Sequence, residues 1–417
     1  MKYREGPTRT VSLADDGTAD AFGNMRVAES YNLYDAAFQY DKEALHWEEA
    51  TVGTASATHL PNESSISMSV GGTTNDSIVR QTKRYFRYQP GKSQKIILTG
   101  VLNDRVTNVR KRLGYFDAQN GIYFEQTGTG IRWVKRSFTS GTVNNSEIEQ
   151  SSWNIDKMDG NGRSGITLDE SKALIYFIDL EWLGVGRVRC GFVIGGKLYY
   201  AHEFIHSNIL TSVYMTTANL PVRYEMTCTG TVGAAKTMKQ ICCSVASEGG
   251  SQERNVVFVE SNDLTARPVT SAYLPVICIR VAAAYPSGGS ITNRETVRPI
   301  SFEVFSLDAP VHYHILYNAA ITGGTWAAVN STYSGVDVNK TATSVTGGLL
   351  IDEGYVPAVS GNPAKEIPGI SGGEFLTDLV LTNNIAGTAG DTLAITCQRL
   401  ETTDTDVYSV IKWQELY

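Results

Sequence analysis

The sequence predicts an all-β protein: two antiparallel β-sandwich domains, of jelly-roll or lectin-like type, preceded by an extended N-terminal arm. Three observations predict it. Period-two alternation of apolar and polar residues recurs from Ser64 almost to the C-terminus, as strands with one buried face require. Glycine, asparagine, aspartate and proline punctuate those runs at short intervals. Helical apolar spacing is confined to one short segment, Val27, Tyr31, Tyr34 and Phe38.

Residues 1–53 form the expected arm. Gly17–Tyr34 carries isolated anchors, Phe22, Met25, Val27, Tyr31, Leu33 and Tyr34, among small residues and without strand alternation. Such a segment has no core of its own, so its apolar side chains gain most by burial on a neighbouring subunit. A short amphipathic helix and a partly ordered tail are the other readings of this stretch.

The central domain is expected over residues 54–246. Ser65–Val70 alternates and is closed by Gly71-Gly72. Lys95–Leu102, Ile122–Glu125, Ile131–Lys135 and Leu174–Trp182 follow, and then the clearest element of all. In Arg187–Phe204, Val188, Cys190, Phe192 and Ile194 alternate up to Gly195-Gly196, and Leu198, Tyr200, His202 and Phe204 return: a hairpin. Ala246–Arg254 is small, polar and glycine-bearing, and is the expected linker. Beyond it residues 247–417 form the second sandwich, with strands at Val256–Val259, Val276–Ala282, Ile300–Phe305, Tyr313–Tyr317, near Leu349, and at Leu376–Leu381, Leu393–Cys397 and Val407–Trp413.

A chain of 417 residues is too long for one ordinary core, and 42% hydrophobic with 19% charged residues describes a folded protein. The net charge of −7 gives no general attraction to nucleic acid or anionic lipid, so neither nucleic acid nor membrane is an expected partner. The N-terminus lacks a secretory apolar region and no apolar run is long enough to span a bilayer, so synthesis in the cytoplasm and a soluble product are expected. The six cysteines show neither zinc-ribbon nor disulfide spacing and read as reduced, buried small hydrophobes.

His202-Glu203-Phe204-Ile205-His206 matches the H-E-x-x-H pattern of zinc peptidases, with Glu225 downstream as a third ligand to be sought. The pattern needs a helix, where positions i and i+4 share a face; here it continues a strand, which separates the two imidazoles by about 13 Å at about 3.3 Å per residue. Packing histidines are therefore expected. His312-Tyr313-His314 sets two imidazoles on one strand face, but no carboxylate follows nearby, so a solvent-facing pair opposite inward Tyr313, Ile315 and Tyr317 is expected. Asp156–Gly162 reads as a tight polar turn, lacking the alternating oxygens of a calcium loop. With no phosphate-binding loop or nucleophile elbow in view, the expectation is a protein with no catalytic residues, cofactor or metal.

Between Arg80 and Arg112 ten basic residues face a single acid, Asp104. Arg80, Lys83, Arg84, Arg87, Arg110, Lys111 and Arg112 are the expected contacts of a basic subunit interface, with a solvated sheet face and single-strand nucleic-acid binding beside Tyr85, Phe86 and Tyr88 as the other readings.

Asp20–Val27, Arg80–Arg84, Tyr88–Gln94 and Glu181–Arg189, taken in order, resemble structural proteins encoded by tailed bacteriophages. The resemblance implies a non-enzymatic, oligomeric virion component, made in the host cytoplasm, with itself and other virion proteins as partners. The tail, fibre or neck apparatus is favoured. The alternatives are a capsid decoration protein, a glycan-binding module that takes a host-surface glycan, and a zinc metallopeptidase acting through His202, Glu203 and His206. The excess of tyrosine over phenylalanine, 21 to 13, suits half-exposed interfaces.

Overall fold

The structure, a computed structural model, describes residues 29–251, 256–358, 371–374 and 379–416. Two pairs of antiparallel sheets build two sandwiches, in agreement with the fold class read from the sequence. In the N-terminal sandwich one sheet runs Lys197–Phe204, Val188–Ile194, Ala173–Leu180, Ser93–Val101, Lys236–Glu248, Ser65–Val70 and Ser56–Leu60, with Ser30–Ala37 also paired to Lys236–Glu248. The facing sheet runs Asn144–Glu149, Ile131–Ser137, Gly121–Gln126, Val109–Phe116, Val222–Cys228, Ser77–Thr82 and Trp47–Val52. Between them Phe124 and Trp133 of one sheet interleave with Tyr176 and Phe192 of the other, ring centroids 5.1 to 5.8 Å apart. All four rings are fully buried, each contributing about 1.5–3 kcal/mol by leaving water.

The hairpin turn falls at Gly195-Gly196, whose φ values of 58° and 75° are the left-handed pair that a two-residue hairpin turn demands. Its strands are not in simple register. Cys190 pairs with His202 and Gly191 with Tyr200, so Ala201 is a bulge residue. The bulge reverses the facing: Tyr199 packs on the core before it and Phe204 after it, while Leu198 is exposed, contrary to the single face expected for Leu198, Tyr200, His202 and Phe204.

Residues 29–53 depart from the expected arm. Ser30–Ala37 and Trp47–Val52 are strands of the N-terminal sandwich, and Ala36, Phe38 and Trp47 belong to its core. The strand was hidden because its pairing slips between Asn32 and Tyr34, which breaks the period-two pattern and leaves Tyr31, Tyr34 and Phe38 at helix-like intervals. Phe22, Met25 and Val27 lie outside the described residues. Ala246, Ser247 and Glu248, expected in the linker, end a strand.

In the C-terminal sandwich one sheet runs Val256–Ser261, Thr405–Leu416, Thr296–Ser306 and Ser371–Glu374, with Arg267–Val269 also on Thr405–Leu416. The other runs Ala327–Ala328, Val336–Asn339, Leu274–Val281, Thr392–Arg399, Val311–Tyr317 and Leu349–Val356. Val407, Ile411 and Trp413 alternate inward from Thr405–Leu416 into a core shared with Ile279, Ile315 and Ile395. Of the strand expected at Leu376–Leu381, residues 376–378 lie outside the described residues, and Leu381 makes an isolated bridge to Val297.

The two sandwiches touch. The Ile385 N–H donates to Glu48 Oε2 at 2.8 Å, Lys83 Nζ lies 3.4 Å from Tyr317 Oη, and the Arg294 guanidinium sits 5.2 Å from the centre of the Tyr85 ring. Among the described residues no helix is long and apolar enough to cross a membrane.

Candidate functional site

Five of the expected contact residues meet in one place. Tyr31, Leu33, Tyr34, Lys83 and Arg84 line a cleft of about 680 Å³ between the sandwiches, which Arg298 and Val380 line from the C-terminal one. Tyr31 is exposed, whereas Tyr34 packs on Phe86 with ring centroids 5.2 Å apart and its hydroxyl donates to Glu43 at 3.4 Å. Burial first, and then the nearby Cys243 and Glu43, push the Tyr34 phenol far up, so it stays a neutral donor. Burial likewise raises the Glu43 carboxyl. Asp35, Glu43, Lys83, Arg84 and Arg298 give the cleft both signs of charge, which suits a mixed polar surface of another chain better than a highly charged ligand.

Much of the basic region is turned to structural use, which takes Arg80, Lys111 and Arg112 out of the expected subunit interface. Two strands, Ser77–Thr82 and Val109–Phe116, run through it. Alternation sends Arg80 and Lys111 between the sheets and Arg110 and Arg112 to the opposite face. Arg80 is fully buried, ion-paired to Glu49, donating to Gln240 Oε1 at 2.8 Å and to the Lys42 carbonyl at 2.8 Å, with its guanidinium 5.5 Å from the Phe38 ring centre. Burial lowers its pKa to about 10. Lys111 Nζ donates to the carbonyls of Leu102 and Asp104, and burial brings it to about 8. Arg112 bridges Glu125 and Glu225, Arg223 grips Glu225 at 2.8 Å, and Arg110 lies 3.8 Å from it. Burial opposes ionisation of Glu225, but Arg223 and Arg112 outweigh it and hold the carboxyl at about 2. Beneath these groups Phe116 and Tyr123 pack 4.4 Å apart, with the guanidiniums of Arg112, Arg136 and Arg223 against their faces. Of the seven expected contacts, Arg80 and Arg112 are buried in intrachain ion pairs, Lys111 is buried against backbone carbonyls, Arg110 is half-buried in an ion pair, and Lys83 and Arg84 reach the cleft. Arg87 lines a smaller recess at the same seam, with Arg84, Tyr85 and Arg294.

The H-E-x-x-H segment is not a metal site. His202 lies on the Lys197–Phe204 strand and His206 beyond its end, and both are buried. His206 Nδ1 donates to the Gly186 carbonyl at 2.6 Å, and its Nε2 accepts from Lys135 Nζ at 2.9 Å. Both ring nitrogens are thereby occupied. The ring stacks on Tyr214, centroids 4.0 Å apart and 7° from parallel. His202 Nδ1 accepts from the Asn154 N–H at 3.4 Å, and its ring meets Phe204 edge-on at 4.6 Å. Burial lowers both imidazoles to about 4, so they are neutral packing groups. Glu225 is engaged by arginines, as described above, and the metallopeptidase alternative falls.

His312 and His314 depart from expectation in the other direction. Tyr313, Ile315 and Tyr317 do point inward, but the imidazoles are only partly exposed and a carboxylate reaches them. It comes from Leu349–Val356, where Glu353 pairs directly with His314. No local spacing could have revealed it; only the pairing register brings residues 314 and 353 together. Asp156 accepts backbone N–H groups of Met158 and Ser164 at 2.9 and 2.7 Å, the tight turn that was expected. The six cysteines are free thiols, and five of them are buried.

No known protein family matches the chain, and no curated protein does. Among solved structures the fold is similar to a glycoside hydrolase family 16 endo-glucanase from Bacteroides ovatus, at 10% identity and a TM-score of 0.35, over 51% of this chain and 99% of that one. It is similar to a legume lectin-like domain from Entamoeba histolytica, at 9% identity and a TM-score of 0.30, over 52% and 97%. A protein of unknown function from Shewanella oneidensis matches at 8% identity and a TM-score of 0.36, over 60% and 100%. Likenesses this distant say nothing of what this chain binds; the residues establish that it is an all-β, double-sandwich protein.

Proposed function

We propose that the chain is a non-enzymatic building block of a bacteriophage particle, in its tail, fibre or neck apparatus, joined to copies of itself and to other virion proteins. The observation that carries the assembly half of this reading is the Val256–Ser261 strand. It pairs on one side with Thr405–Leu416, and among the described residues no strand pairs with its other edge. Val256, Val257 and Val259 are 44%, 55% and 55% exposed along it. Sheets normally guard such an edge with charge, proline or a bulge; the one charge of Val256–Ser261, Glu260, is paired with Lys340, and Val256–Val259 is wholly apolar, which supports an edge covered by another chain. The cleft lined by Tyr31, Tyr34 and Lys83 supplies a second, polar contact surface. The virion assignment rests on the resemblance to phage structural proteins. Sedimentation velocity of the full chain tests the assembly: self-association that is lost in Val257→Lys/Val259→Lys supports it, and an unchanged distribution counts against it.

A second reading, glycan binding, is supported by a recess of about 290 Å³ beside the half-buried Trp326, whose ring carries the Arg280 guanidinium 4.5 Å from its centre. Recesses lined by an aromatic ring and a few placed polar groups take small ligands. Saturable oligosaccharide binding abolished by Trp326→Ala would support it, and its absence across a glycan panel would exclude it.

A further inference from the structure

We propose that His312, His314 and Glu353 form a binding site for a divalent first-row transition ion of the zinc class. The two histidines alternate to one face of Val311–Tyr317, and Glu353 stands opposite His314 on the neighbouring strand, so all three side chains project from the same side of the sheet. Glu353 Oε2 lies 3.2 Å from His314 Nε2 and 3.7 Å from His312 Nε2, and the three donor atoms fall within 4.8 Å of one another. A tetrahedral ion with bonds of about 2.0–2.2 Å holds its donors about 3.3–3.5 Å apart, so small side-chain adjustments close the site.

The imidazoles are held in place. Tyr273 stacks on His314 with centroids 4.1 Å apart, and Tyr355 stacks on His312 at 4.4 Å. The Tyr273 hydroxyl is 2.6 Å from His312 Nδ1, which fixes that ring with Nε2 turned toward Glu353. A ligating histidine characteristically has its other nitrogen hydrogen-bonded in this manner. The same hydroxyl is 2.9 Å from His314 Nε2, a contact that a bound ion would replace, and the fourth position falls to water. The imidazole side chains are 16% and 21% exposed, fixed yet reachable, while Glu353 at 55% is free to swing onto an ion. Two imidazoles with one carboxylate select zinc, nickel, cobalt or copper over calcium and magnesium, which prefer all-oxygen shells. Because Leu349–Val356 ends its sheet among the described residues, a bound ion would tie that strand to its neighbour.

The test uses the full chain, stripped with chelator and titrated with cobalt(II) and zinc(II), read by visible absorption and by metal analysis after dialysis. The expected result is one equivalent per chain with tetrahedral cobalt bands, weakened about 100-fold by His312→Gln or His314→Gln and about 10-fold by Glu353→Gln, with His202→Ala unaffected. Failure to take up a stoichiometric ion overturns the proposal. Should the histidine variants misfold by circular dichroism, the surface variant Glu353→Gln decides: unchanged affinity and unchanged cobalt bands overturn it.

Discussion

Acid should unfold the N-terminal sandwich ahead of its partner, and His202 and His206 set the size of the effect. Both are buried, and burial brings each to about 4 from an ordinary value of 6.5. In the unfolded chain each takes up a proton near its ordinary pKa, whereas the folded chain resists until about 4. The unfolded state therefore binds more protons across this window, so stability falls as pH drops from 6.5 to 4 and is level again below it. At 1.36 kcal/mol per unit of pKa each histidine accounts for about 3–4 kcal/mol, and the pair for about 7 kcal/mol. A domain has about 5–15 kcal/mol in all, so this loss decides whether the sandwich stays folded near pH 4. Glu225, held at about 2, adds a further loss below its ordinary 4.5. Four of the six tryptophans, Trp47, Trp133, Trp153 and Trp182, lie in this sandwich, so urea titrations read by fluorescence at half-unit pH steps follow it selectively. His206→Gln, which can still pair with Gly186 and Lys135, should remove about half of the slope. A midpoint independent of pH between 4 and 6.5 would refute the reasoning.

The C-terminal sandwich should show the opposite slope. Burial and the adjacent Glu415 raise the Glu295 carboxyl, so it stays protonated when folded, and stability falls as pH rises above its ordinary 4.5; Glu295→Gln should abolish that fall in calorimetric scans, and an unchanged slope would refute it. Glu225→Gln leaves Arg223 buried without its counter-charge and Arg112 with Glu125 alone, and should cost about 3–5 kcal/mol by urea unfolding; a cost within about 0.5 kcal/mol would show the network to be dispensable. Removing residues 1–28 spares the Ser30–Ala37 strand and should leave both melting transitions in place while weakening incorporation into particles; a lost transition would assign those residues to a core.

The strands legible in the sequence are those with one apolar face, such as Ser65–Val70, the Gly195-Gly196 hairpin and Thr405–Leu416. Val109–Phe116 and Val222–Cys228 were missed because they bury both faces, and charged residues occupy positions where a half-buried strand shows none. In one dimension Arg112 reads as a subunit contact and Glu225 as a third ligand to be sought; in the sheet they neutralise one another across adjacent strands, where Glu225 pairs with Arg112 in register. The same non-locality hid Glu353 from His314. The bulge at Leu33 disguised a strand as a helix, and the bulge at Ala201 changed which side of its strand meets the core. The local test applied to H-E-x-x-H succeeded because the requirement it examined, a helix under both histidines, is itself local.

The central claim is that this chain is a structural part of a phage particle. Quantitative mass spectrometry of gradient-purified particles tests it most directly: the account predicts the protein at a fixed copy number relative to the other virion proteins, retained through washing with high salt. Its absence from purified particles, with the protein abundant in the infected-cell lysate, would contradict the account.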